Sequence, residues 1–132
     1  MKLKSFSVIL GTNIFKALSE ESRIRILYLI YKNEEMCISD LEQILNFTQS
    51  KTSRHLLYLK NAGLLSYTKQ DQWVYYSLKE EFSGIIAQVF SFIEKDSLLT
   101  KDQQNFETLY ANNALAIRKL HTIQKRYNLP EL

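Results

Sequence analysis

Gly63 separates two hydrophobic periods. Before it, apolar residues return every three or four positions. After it, Leu65-Ser66-Tyr67-Thr68 and Trp73-Val74-Tyr75-Tyr76-Ser77-Leu78 are rich in aromatic and β-branched residues. A chain with this break has to turn from helix to paired strands near its middle. Lys69-Gln70-Asp71-Gln72 is a polar connection of hairpin length between the two strands. Elsewhere little interrupts a helix, because the chain has only three Gly and one Pro, and that Pro is Pro130.

Ile14, Phe15 and Leu18 fit one face of a first helix. Ser19 is placed to cap a second, which enters through Glu20-Glu21-Ser22-Arg23 and carries Ile24, Ile26, Leu27, Leu29 and Ile30. This second helix is expected to be central. Ser39-Asp40-Leu41-Glu42 reads as a capping box for a short third helix with Leu41, Ile44 and Leu45 as its apolar stripe. Asn46 suits the left-handed residue that stops it, and Thr48 suits the N-cap of a fourth helix ending at Gly63. Beyond the hairpin, Phe82, Ile85, Ile86, Val89, Phe90 and Ile93 predict one more helix. Thr100-Lys101-Asp102-Gln103 predicts a capping box opening another, with Phe106, Leu109, Tyr110, Ile117 and Leu120. The last residues, including Lys125, Arg126 and Pro130, are expected to be loosely ordered.

The fourth helix carries the chemistry. From Gln43 to Gln70 there is no Asp or Glu, yet Lys51, Arg54, Lys60 and Lys69 are present. Phosphates repel carboxylates and attract these cations, while Gln, Ser and Arg reach base edges. Thr52, Leu56 and Leu59 fall on one side of this helix for packing; Ser50, Arg54 and Asn61 fall roughly opposite. Leu57 leans towards the polar side and has no role in this pattern. The net charge of +3 is only mildly basic, so the local distribution carries the argument. Against this stands the reading of a merely solvated amphipathic helix.

A short helix, a tight turn, a polar-basic helix and a hairpin in that order read as a helix-turn-helix with a wing. The expected fold is mainly α with a small β-hairpin, a winged helix-turn-helix with additional C-terminal helices in a single domain over residues 1–132. A 45% hydrophobic content supplies a core for one such domain.

In this order the chain resembles the ArsR/SmtB family of winged-helix repressors. The matching pieces are Phe15-Lys16-Ala17-Leu18-Ser19, Ser22-Arg23-Ile24-Arg25-Ile26-Leu27, Asp40-Leu41, Gln49-Ser50-Lys51-Thr52-Ser53-Arg54-His55-Leu56, Leu59-Lys60-Asn61-Ala62-Gly63-Leu64 and Trp73-Val74-Tyr75-Tyr76-Ser77-Leu78. The likeness runs from Ile14 to Leu78. It implies a cytoplasmic homodimeric repressor on a palindromic operator in double-stranded DNA. It also implies dimerisation through terminal helices, here 1–18 and 80–121. By the same resemblance Gln49, Ser50, Lys51, Ser53 and Arg54 face DNA, and Lys69 and Gln72 belong to the wing. Lys60 joins them as a cation of the same acid-free window. Arg54 is suited to guanine or phosphate, and Gln49 to adenine.

The sensing residues of that family are not matched. Arsenic-responsive members carry Cys-x-Cys at the start of the helix that opens the helix-turn-helix; here the segment is Cys37-Ile38-Ser39, with one thiol. Zinc-responsive members place Asp and His pairs on a helix after the wing, and Phe82 to Lys95 contains no His. No metal and no cofactor are expected, and no inducer is specified. Cys37 is the only cysteine, so no disulfide forms within the chain, and it is expected to be a small buried hydrophobe rather than a redox thiol. His55 is expected to orient or pack, Trp73 and Tyr75 to pack the wing, and Phe90, Phe92, Phe106 and Tyr110 to form the dimer core rather than a ligand pocket.

Two other functions remain open at this level. A winged helix that binds protein instead of DNA would show no sequence-selective DNA binding, and the acid-free window argues against it. An enzyme is not expected: no Ser-His-Asp or Cys-His set and no Gly-rich phosphate loop is present. No membrane span is expected, and the apolar run Phe6 to Leu10 is too short for a signal peptide.

Overall fold

A computed structural model describes residues 5–128. Helices α1 (Val8–Ala17) and α2 (Glu21–Asn33) lead to a short strand β1 (Glu35–Cys37), then α3 (Ile38–Leu45) and α4 (Gln49–Asn61). Strands β2 (Leu65–Gln70) and β3 (Trp73–Leu78) follow, then a 3-10 turn at Glu80–Phe82 and helices α5 (Ser83–Ile93), α6 (Ser97–Ala111) and α7 (Ala116–Asn128). The expected class stands: mainly helical, with a helix-turn-helix and a wing.

The centre is α2. Ile26, Leu27, Tyr28, Leu29 and Ile30 are all buried, so this helix is surrounded rather than laid on a surface. Its C-terminal half meets α5 through Tyr28 and Tyr31, whose rings sit 5.1 and 5.2 Å from that of Phe90. Phe90 and Phe106 are buried within the chain and Tyr110 is half-buried, whereas Phe92 is 80% exposed and lies outside the core that one chain forms by itself. Phe15 departs from its expected face: Ile14 and Ala17 are buried, whereas Phe15 is 69% exposed.

Local signals placed several boundaries correctly. Asn46 is left-handed at φ 56°, and its N–H donates to Glu42 O. Thr48 caps α4, its hydroxyl accepting from Lys51 N at 3.2 Å. Gly63 follows the end of α4 at φ 88°, a conformation a side chain resists.

Other boundaries moved. The cap of α2 is Glu20, which accepts from Ser22 N at 2.7 Å, while the Ser19 hydroxyl donates back to Lys16 O. The third helix begins at Ile38 with Cys37 at its N-cap, so Ser39 is no cap; its hydroxyl lies 3.4 Å from the Cys37 sulfur. Thr100 caps nothing either. Asp96 opens α6, accepting from Leu98 N at 2.8 Å, and Thr100 lies inside the helix. The segment expected to be one last helix is two, α6 and α7, divided at Asn112–Leu115, where Asn113 takes φ 59°. Lys125 lies within α7, and Pro130 is outside the described residues.

The sheet has three strands in the order β1-β3-β2, both pairs antiparallel. Strand β1 is additional to the expected hairpin and pairs Glu35 to Cys37 with Ser77 to Tyr75. Gln70 pairs with Trp73, so the connection is the two residues Asp71-Gln72, with Asp71 at φ 57°. Lys69 and Gln70 are therefore strand residues. Tyr75 is buried and Trp73 half-buried, as wing packing requires.

Polar contacts bolt α6 to α2 and α7 to α6. Arg25 of α2 grips Asp102 of α6 with two parallel bonds, Nε to Oδ2 at 2.9 Å and Nη2 to Oδ1 at 3.0 Å. That hydrogen bonding raises the Arg25 pKa further. Asn33 and Gln103 exchange amide bonds at 2.8 and 2.9 Å. Tyr110 and His121 join α6 to α7 through a 2.8 Å bond between the phenol oxygen and Nδ1.

Candidate nucleic-acid interface

Helix α4 has a packed line and an open line. Thr52, His55, Leu56 and Leu59 are buried, while Gln49, Ser50, Arg54 and Asn61 are exposed and Ser53 is half-buried. Thr52 turns its hydroxyl back to Thr48 O at 2.8 Å, which lets a polar residue sit in the core without an unpaired donor.

Two lysines flank the open line and are held there by aromatic rings. Lys51 Nζ lies 4.0 Å from the centre of the Phe47 ring, and Lys60 Nζ lies 4.5 Å from that of Tyr67 on β2. At about 100° per residue, Lys51 and Lys60 stand on opposite sides of the helix. A cation on each side, with Ser50, Arg54 and Asn61 exposed between them, matches a major groove bordered by two phosphate strands. Phe47 and Tyr67 were not among the expected site residues. The signal was available only as an aromatic in the turn before α4 and another in the wing.

The remaining expected residues, Lys69 and Gln72, lie at the tip of the wing. Lys69 pairs with Val74 near the tip of the hairpin, Gln72 is in its turn, and both are exposed. Gln72 and Gln49 line a common groove of about 450 Å3 between the wing and the helix-turn-helix.

A polar joint fixes α4 against α2. His55 is 4% exposed, with Nε2 donating to Glu20 Oε2 at 3.1 Å and Nδ1 3.4 Å from Arg23 Nη1. These neighbours assign the neutral tautomer with the proton on Nε2. Burial lowers the His55 pKa, and the Glu20 carboxylate only partly opposes it. The bond from Ser22 N is the largest reason that Glu20 itself lies below its ordinary value. Arg23 also donates to Ala17 O at 2.8 Å and Lys16 O at 3.0 Å, and its guanidinium lies 4.0 Å over Tyr58 of α4. One side chain thus ties the end of α1 to the open helix. His55 orients, as expected, and Glu20 and Arg23 are its partners, which no local spacing reveals.

Cys37 is 1% exposed, and burial pushes its thiol up to about 11. That is the environment of a small buried hydrophobe and the opposite of an activated thiolate. Among the described residues, no group of three or more His, Cys, Asp and Glu is placed to hold a metal ion.

The architecture and sequence have known relatives. The family model described as "Bacterial regulatory protein, arsR family" matches residues 20–67. The arsenic resistance transcriptional regulator ArsR2 of Pseudomonas putida is 36% identical over 108 residues, which cover 82% of this chain and 86% of that one. The cadmium resistance transcriptional regulatory protein CadC homolog of Staphylococcus aureus is 40% identical over 68 residues. That match covers 52% of this chain and 56% of the relative, so the chain spans little more than half of that protein's length. Among solved structures, HlyU from Vibrio cholerae superposes with a TM-score of 0.59 at 28% identity, covering 64% of this chain and 92% of that chain. The chain belongs to the arsR family of bacterial regulatory proteins, winged helix-turn-helix regulators of transcription that bind DNA.

Proposed function

We propose that this chain acts in the cytoplasm as a homodimeric repressor that reads a palindromic operator with α4 and its wing. The observation that carries the reading is the open line of α4, free of acids and bordered by Lys51 and Lys60 on their aromatic supports. Gln49, Ser50, Ser53 and Arg54 meet base edges or adjacent phosphates, with Gln49 suited to adenine and Arg54 to guanine. Lys51, Lys60 and Lys69 meet phosphates, and Gln72 extends the contact from the wing. Bound beside a promoter, such a dimer excludes polymerase.

Dimerisation through segments 1–18 and 80–121 is supported by the apolar surface these segments leave open. On α1, Val8 is 85% exposed and Phe15 is exposed too; on α5, Phe92 is. A surface of large apolar side chains on terminal helices is suited to a second copy.

Selection of bound fragments from a random DNA pool tests the proposal. The expected product is a pair of inverted half-sites whose centres lie about one helical turn apart, or a multiple of it. Failure to enrich any sequence would reject operator reading and favour a protein-binding winged helix. Enrichment of a single, asymmetric half-site would reject the dimer.

A further inference from the structure

Leu57 lies among the residues that face away from the core. At about 100° per residue, Ser50, Arg54, Leu57 and Asn61 fall within about 60° of one another on α4, opposite Leu56 and Leu59. Leu57 is 53% exposed and stands outside the hydrophobic core and the residues packed on it. With Ser53, Arg54, Tyr58 and Asn61 it lines a shallow depression of about 440 Å3 on the helix surface. Its place is therefore on the open line itself, three residues after Arg54 and between the two lysine flanks.

A lone exposed leucine needs no explanation on an ordinary surface. On a helix that enters a major groove it does, because most of the groove consists of donors and acceptors that a leucine strips of water without replacing the bonds. One major-groove group is different: the C5-methyl of thymine is apolar. Burying it against a leucine side chain removes apolar surface of both from water. We propose that Leu57 packs on the C5-methyl of a thymine in each half-site and is a specificity-determining residue for that base pair. The proposal rests on the reading of α4 as the DNA-reading helix. It makes Arg54 and Leu57 consecutive readers, one polar and one apolar, on a single turn.

Deoxyuridine differs from thymidine only by that methyl, so it isolates the contact. In a site selected with the full chain, each thymine is replaced in turn by deoxyuridine and the affinity measured for the wild type and Leu57→Ala. For the wild type, one thymine per half-site is expected to weaken binding about fourfold on losing its methyl, the effect of burying one such group. For Leu57→Ala that ratio is expected to fall to about one, with the salt dependence, the oligomeric mass and the helical circular dichroism unchanged. Ala keeps α4 helical, and the exposed position leaves the core intact. A wild type indifferent to every replacement overturns the proposal, and so does a Leu57→Ala variant that still discriminates. A changed oligomeric mass with discrimination intact overturns it as well and gives Leu57 to a contact between copies. These outcomes leave operator binding standing, whereas a chain that selects no DNA removes the underlying reading and this proposal with it.

Discussion

The carboxylate of Asp40, near the start of α3, accepts the backbone N–H of Ala116 at the start of α7, at 2.8 Å and 76 residues away. Its other oxygen accepts from Ile117 N at 2.9 Å. A buried anion at a helix N-terminus satisfies two otherwise orphaned donors and sits at the positive end of the helix dipole. Tyr75 closes the same corner, its hydroxyl 3.5 Å from Ala116 O. Asp40→Ala is expected to destabilise the fold by about 2–3 kcal/mol, because two buried N–H groups lose their acceptor. Asp40→Asn is expected to cost less, since the amide oxygen still accepts one bond. Urea denaturation measures both, and a loss below about 1 kcal/mol for Ala would show that water replaces the carboxylate without penalty.

Asp102 is 2% exposed at its side chain and Arg25 17%, so removing one partner strands a charge in a poorly solvated place. Asp102→Ala is expected to cost about 3 kcal/mol, near the low end for a buried pair because Arg25 keeps some water. The double variant Arg25→Met with Asp102→Leu is expected to recover part of that loss. A double variant no more stable than Asp102→Ala would mean that Arg25 finds another partner once Asp102 is gone.

Stability is expected to fall on acidification in two windows. The folded-state pKa of His55 lies below its ordinary 6.5, so below about pH 6.5 the unfolded chain takes up the proton first and the fold loses stability. Glu20 lies below 4.5 when folded, so its contribution is present above pH 4.5 and is lost as the pH falls through the folded value. His55→Gln is expected to flatten the upper window and leave the lower one. Urea midpoints from pH 8 to pH 3 report this; an unchanged slope between pH 6.5 and 5 in the variant would remove His55 as the cause.

Arg54→Ala is expected to weaken operator binding by about 1–3 kcal/mol and to relax preference at one base pair per half-site. The reason is its exposed position on the open line, where its fork is free to reach guanine. Binding titrations against single-base operator variants separate the two effects. Weaker binding with unchanged base preference would assign Arg54 to phosphate instead.

Two copies of Lys51, Arg54, Lys60 and Lys69 bring up to about eight cations to DNA, so log K is expected to fall with log salt at a slope of roughly −5 to −7. Lys51→Ala and Lys60→Ala are each expected to flatten that slope by about two units per dimer. Titration across a salt series checks this, and a slope near zero in the wild type would exclude phosphate contact as the main source of affinity.

Features decided within a few residues were legible in the sequence. Asn46, Thr48 and Gly63 hold the turn and the two ends of α4 through their own backbone preferences and side chains, and the structure keeps all three. The aromatic and β-branched runs after Gly63 likewise sufficed for the hairpin, because such side chains suit the pleated surface of a strand. The acid-free stretch and its cations could be read directly, since charge is a property of composition and position alone.

Features decided by distant partners were not legible. Ser39-Asp40-Leu41-Glu42 and Thr100-Lys101-Asp102-Gln103 have the letters of a capping box, yet Asp40 serves α7 and Asp102 serves Arg25. A buried carboxylate goes to the strongest donors the packed chain brings to it, and local spacing does not reveal those. Strand β1 exists because β3 offers it an edge, and Glu20 reaches His55 only because α2 crosses α4. The sequence by itself determined the helix-turn-helix, the wing and the charge of the open face, all of them short-range. Only the tertiary structure decided which side chains hold α4 in place and left its open line, Leu57 included, uncovered by the other elements, because those outcomes depend on contacts between distant segments.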